Sequence, residues 1–167
     1  AFASRAACDV SLAYRTWSIR EGGTRATLSQ LVLPVYFRSS LRENVDFSYL
    51  FSIASSGLEE RPLAEDRLSG VTDGKLGLTY FFPDPRFSAG LGLRVPTGES
   101  ELDPHEERVA RGLNARILGF RVKRFGEGTD VEVRGGYAAA LASGLGLSGA
   151  VSYVVKGSFP ILGDSAG

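Results

Sequence analysis

Among its 167 residues the chain has one cysteine, one histidine, one tryptophan and no methionine. A single thiol, Cys8, excludes an intrachain disulfide, and we expect it to be a free thiol near the chain start. A single imidazole, His105, leaves little material for nucleophilic catalysis, and no G-x-S-x-G elbow accompanies it. Net charge is missing too: 19 basic and 19 acidic residues cancel, leaving no field to recruit nucleic acid. Nor does any stretch approach the roughly 18 apolar residues that a membrane-spanning helix requires, so a bilayer crossing would have to use strands. The lack of Met, together with the A-x-A pattern of Ala1-Phe2-Ala3, leads us to expect a processed or partial product carrying the end of a secretory signal.

What is present is two-residue alternation, in segments of about ten residues separated by turn-forming clusters. With 21 Gly, 10 Phe and 6 Tyr, composition leans towards β structure. Eight strands are predicted, near 9 to 19, 26 to 38, 44 to 55, 71 to 82, 86 to 96, 109 to 122, 129 to 141 and 145 to 157. In the third, Val45, Phe47, Tyr49, Phe51 and Ile53 share one face. In the fifth, Phe87, Ala89, Leu91, Leu93 and Val95 oppose Ser88, Gly90, Gly92 and Arg94. The sixth is ambiguous, because Leu118, Phe120 and Val122 share their face with Asn114 and Arg116. Even-numbered connections are short (Ser39 to Glu43, Pro83 to Pro85, Gly126 to Gly128). Two odd ones, Gly57 to Gly70 and Thr97 to Arg108, are long and charged, although Arg20 to Gly23 and Ala142 to Gly144 break that parity.

The expected fold is all-β: an antiparallel up-and-down transmembrane β-barrel in one domain, at least eight strands, or the N-terminal part of a larger barrel. A soluble barrel has the same period, so the non-oily face decides the orientation. It holds Gly77, Gly90, Gly92, Gly146, Ser148 and Ser152, and exposed strand glycine weakens a sheet, whereas a narrow lumen favours small side chains. The oily face is therefore expected towards lipid, with Phe47, Phe51, Leu78, Phe87, Leu91, Val133 and Val151 on it. The lumen is expected to be lined by Arg15, Arg38, Asp46, Asp73, Lys75, Arg94, Arg121, Asp130, Glu132, Arg134 and Lys156, both signs in comparable number.

The stretches DVSLAYRTWSIREGGTRATLSQL, LSGVTDGKLGLTYFFPDPRFSAGLGLRVPTGESELDP and RFGEGTDVEVRGGYA resemble uncharacterised bacterial outer-membrane β-barrel proteins of the transporter or porin type. The barrels grouped with phenol-degradation pathways are similar. The resemblance is densest from Leu68 to Pro104, and it implies an outer-membrane location. Such proteins commonly continue beyond a segment like YVVKGSFPILGDSAG, and we expect the same of this chain.

Other motifs have plainer readings. Gly144-Leu145-Gly146-Leu147-Ser148-Gly149 matches a dinucleotide fingerprint, but a turn precedes it and a strand follows, where phosphate binding needs a strand and then a helix. Glu99, Glu101, Asp103, Glu106 and Glu107 lack EF-hand spacing and read as a solvated acidic loop. Arg61, Arg67, Arg108 and Arg111 have acidic neighbours and read as loop salt bridges rather than lipopolysaccharide contacts. No catalytic centre, metal or cofactor is expected. The expected function is passive transport of small solutes, hydrophobic ones included, through a mixed-charge lumen. Two alternatives are a non-transporting structural or assembly barrel and a soluble β-barrel binding an apolar ligand. The expected partners are outer-membrane lipid, a small solute, and a second copy or another protein held through outer loops.

Overall fold

The computed structural model describes residues 5–21, 24–61, 64–99, 101–142 and 144–157. The expected signal remnant at Ala1 to Ala3 and the tail after Gly157 lie outside them. The strands are β1 (Ala6–Val10), β2 (Ala13–Glu21), β3 (Thr24–Arg42), β4 (Val45–Arg61), β5 (Ala64–Val71), β6 (Gly74–Phe81), β7 (Phe87–Val95), β8 (Asp130–Ala142) and β9 (Leu145–Lys156). One helix, α1 (Pro104–Leu113), and a 3-10 turn (Arg116–Leu118) lie between β7 and β8. All pairings are antiparallel, and the strands form one curled, half-barrel sheet. Its order is β1/β2, β3, β4, β5/β6, β7, β8, β9, a pure meander. The all-β antiparallel expectation holds. Among the described residues the sheet is open, with free edges on β1/β2 and β9.

The predicted first strand is divided, because β1 and β2 both pair with β3 on either side of Ser11 and Leu12. The gap faces Pro34, whose carbonyl still accepts from the Ser11 amide (3.4 Å) but whose ring nitrogen has nothing to donate. A second division, at Thr72 and Asp73, separates β5 from β6 along β4. There the register moves from Ile53 opposite Val71 to Leu50 opposite Lys75, so one extra residue is accommodated as a bulge. The Thr72 hydroxyl takes over as acceptor for the Ser52 amide (2.9 Å).

Two expectations are corrected. Gly57 to Gly70 is not a loop: β4 runs on to Arg61 and returns as β5. Alternation continues through it, with Ala54, Ser56 and Leu68 buried on one face while Ser55, Glu65 and Arg67 are exposed on the other. Polar residues on the outward face had hidden the pattern. Nor does 109 to 122 form a wall strand, since it holds the end of α1, the 3-10 turn and an extended segment lying over the sheet. Gly126 to Gly128, read as a hairpin turn, is instead the end of that segment as it enters β8.

Helix α1 starts where its sequence dictates. Asp103 caps it, accepting from the His105 and Glu106 amides (2.8 Å each), Glu106 reaches back to the Asp103 amide, and Pro104 occupies the first turn. Val109 and Leu113, four residues apart, are fully buried. They join Leu28, Val32, Ala54, Leu68, Phe120, Val122 and Phe125 in the core. This core lies against the β3, β4 and β5 ends furthest from the turns at 43–44 and 82–86.

Candidate functional site: the concave face

Residues directly opposite each other in an antiparallel ladder share a face. Register therefore traces rows across the sheet. One row is Tyr36, Leu50, Lys75, Arg94, Asp130 and Lys156; the next is Arg38, Ser48, Gly77, Gly92, Glu132 and Val154. A third is Ser40, Asp46, Thr79, Gly90, Arg134 and Ser152, and Arg15 stands opposite Gln30 on the same face. Tyr36 on β3 and Val154 on β9 line one cavity of about 300 Å³ although four strands lie between them, so this face is the concave one. Nine of the charged positions singled out from the sequence thus share the concave face: Arg15, Arg38, Asp46, Lys75, Arg94, Asp130, Glu132, Arg134 and Lys156.

The intervening rows belong to the convex face. Phe47, Leu78, Leu91, Val133 and Tyr153 stand side by side, as do Val45, Tyr80, Ala89, Gly135 and Val151. Phe51 opposes Val35, and Phe87 opposes Tyr137, their rings 5.2 Å apart. Large apolar side chains here are exposed, Val151 by 73% and Tyr153 by 72%, with Leu78, Phe87, Leu91 and Val133 also open. On β3 the outward run from Leu31 to Leu41, apolar except at Ser39, covers roughly 33 Å of strand at ~3.3 Å per residue. With the tilt of a barrel wall it matches a band of about 25 Å. Beyond Leu31 and Ile53 the outward positions turn polar, at Ser29, Ser55 and Glu65. A hollow of about 750 Å³, whose large apolar lining residues are Phe82, Phe87, Tyr137 and Val151, opens on this surface.

Concave glycines make room for long charged side chains. A Cβ on Gly90 would meet Arg134 Nε at 3.5 Å, and one on Gly77 would meet Arg134 Nη2 at 3.4 Å, so this arginine lies flat across two neighbouring strands. A Cβ on Gly92 would come within 3.2 Å of the Glu132 side chain. Charges pair across and along strands: Arg38 with Asp46, Arg94 with Asp130 (3.4 Å) and with Glu127, and Arg134 with Glu132 (3.8 Å). Lys156 faces Asp130 in register without an ion pair.

Asp73 and Arg121, also singled out, are placed by the segment 96–129. Asp73 sits in the bulge, buried, accepting from the amides of Gly98 (2.9 Å), Glu127 and Gly128 (3.1 Å). It is a clasp for both ends of the connection rather than a free charge. Arg121 projects from the extended part, where Phe120, Val122 and Phe125 turn to the core while Arg121 and Arg124 stay exposed.

Sequence reasoning passed over the groups that dock this connection. Gln30 is buried and holds both main-chain groups of Val122, donating to its carbonyl (2.7 Å) and accepting from its amide (3.2 Å). Trp17 Nε1 donates to the Leu118 carbonyl (2.9 Å), as does Arg15 (3.2 Å). Buried Asp66 binds Arg108 (2.7 Å) and His105 Nδ1 (2.9 Å), so the only histidine is a tether for α1. Arg67 pairs with Glu65 (2.6 Å) and Arg111 with Glu107 (2.8 Å); the Arg61 side chain lies outside the described residues. A polar residue on an inward strand position, such as Gln30 or Asp66, is the signal that could have found them. Set beside known proteins, the chain matches no family model, no curated protein and no solved structure.

Proposed function

We propose that this chain forms wall and lining of a bacterial outer-membrane β-barrel through which small solutes pass passively. The observation that carries the reading is the segregation of the two faces: a tall apolar band, exposed and uncharged, outside, and glycines with nine ionised side chains inside. In water such a band would be a large exposed apolar patch, whereas in a bilayer it is matched to its solvent. The resemblance to transporter and porin barrels points the same way. A soluble barrel for an apolar ligand would need a greasy concave face; here the apolar part around Leu28, Val32, Ala54 and Leu68 is already filled by α1 and residues 120–125, and the rest carries charge.

The free edges on β1/β2 and β9 bear on the state in which the chain works. Unpaired main-chain groups cost several kcal/mol each in hydrocarbon, so a membrane form requires both edges to be paired. A non-transporting barrel is the second reading, favoured by the segment 96–129 that fills part of the concavity. Planar-bilayer conductance of the purified full chain separates the two. Discrete channel steps support transport. A protein that inserts into vesicles yet leaves them tight supports the second reading, and one that remains in solution without detergent defeats both.

A further inference from the structure

Three cavities follow one another along the concave face and share cationic walls. Arg121 lines both the cavity beside Gln30, about 340 Å³, and the central one beneath the extended segment, about 290 Å³. Lys75 lines both the central one and the cavity over Gly77 and Gly92, about 300 Å³. Every carboxylate lining these three spaces is already engaged: Asp73 by three main-chain amides, Glu127 and Asp130 by Arg94, Glu132 by Arg134. Lys75 and Arg121, at the two junctions, have no anionic partner among the described residues, and Lys123 and Arg124 add two more unneutralised cations to the central wall.

We propose that this run of cavities is a binding path for small anions, carboxylates or phosphates, with Lys75 and Arg121 as its two contact points. An overall charge of zero conceals this, because the acids lining these cavities are engaged by amides or arginines while the junction cations are not. Unpaired cations in a partly enclosed space attract anions more strongly than they would in bulk water, since screening and dielectric are both reduced. Arginine and lysine here offer only donors, and that chemistry fits carboxylate or phosphate oxygen and rejects cations. The inference rests on the barrel reading for transport, while anion binding can be scored without it.

Two measurements on the full-length chain decide it. In planar bilayers under a KCl gradient, the wild-type reversal potential is expected to have the sign of anion preference. Lys75→Glu with Arg121→Glu is expected to invert that sign, and Lys75→Gln, a milder change, to reduce the preference. In zwitterionic detergent, inorganic phosphate is expected to give a saturable change in Trp17 fluorescence at constant ionic strength, since Trp17 is bonded to the segment carrying Arg121. That change is expected to be lost in Arg121→Glu. Conductance that prefers cations, or that ignores all three variants, overturns the proposal, as does a phosphate response that does not saturate. Phosphate binding without any conductance would overturn the transport reading alone and leave the anion site standing.

Discussion

Asp66 shows how one inward carboxylate organises a distant element. It is buried on β5, with Arg108 and His105 of α1 as its partners, so removing it strands two donors and removing Arg108 strands a charge. Asp66→Ala is expected to cost about 1–3 kcal/mol, the range for lost charged hydrogen bonds, and to expose α1 to protease under conditions where the sheet resists. Gln30→Leu is expected to cost a similar amount, about 1–3 kcal/mol, because the Val122 amide and carbonyl lose their partner without gaining water. Loss of hydrogen-exchange protection at the Val122 amide would report it. At Asp103 the Glu106 amide, and with it the His105 amide, holds the carboxyl below the ordinary aspartate range of about 4. A lowered folded value means its stabilisation is full above that range and is lost as pH falls through the folded value. Amide protection at the start of α1 is therefore expected to decline in acid, and Asp103→Asn, still a good cap, to abolish the decline.

At the scale of elements, β-strand alternation was legible wherever one face was greasy. Residues 44 to 55, 86 to 96 and 129 to 141 are strands because Phe, Leu and Val recur at every second position there. Where the outward face is polar and the inward face mixes Ala54, Leu58 and Leu68 with Ser56 and Asp66, the same period was invisible, which is why the extended hairpin of β4 and β5 read as a loop. Helix α1 was legible in principle, through Asp103-Pro104-His105-Glu106 and the Val109/Leu113 pair, but its surrounding charge imitates a solvated loop. With 109 to 122 removed from the wall, the connection Ala142 to Gly144 falls at the same end as 43–44 and 83–86, but the two-residue connections after Glu21 and Arg61 lie at the other end, so turn length does not tell the two ends apart. Gly98 shows how tightly the long connection is held: a Cβ there would lie 1.8 Å from the Phe125 carbonyl oxygen. Gly98→Ala is expected to open the clasp and lower thermal stability by about 1–3 kcal/mol, the usual cost of overpacking.

For the molecule as a whole, the decisive property is the solvent that the convex face meets. Val133, in the middle of the apolar band, is 55% exposed, so in water Val133→Arg would be close to neutral and would raise solubility. At a bilayer midplane the same change is expected to cost about 2–4 kcal/mol, and unfolding titrations in lipid vesicles and in detergent would expose the difference. The concave charges were placed by parity alone, but their pairing was beyond the sequence, since it depends on which strands are neighbours and on where the bulge at Thr72 and Asp73 shifts the register.

The Asp73 clasp also orders events in time. Its carboxylate draws on amides at positions 98, 127 and 128, which lie at opposite ends of the longest connection between strands among the described residues. No single hairpin can supply them, so the β5/β6 corner is complete only when the chain has left the sheet after β7 and returned as β8. A chain paired only as far as β7 would hold the Asp73 carboxylate on a single amide, that of Gly98, and the partners at 127 and 128 would arrive only with β8.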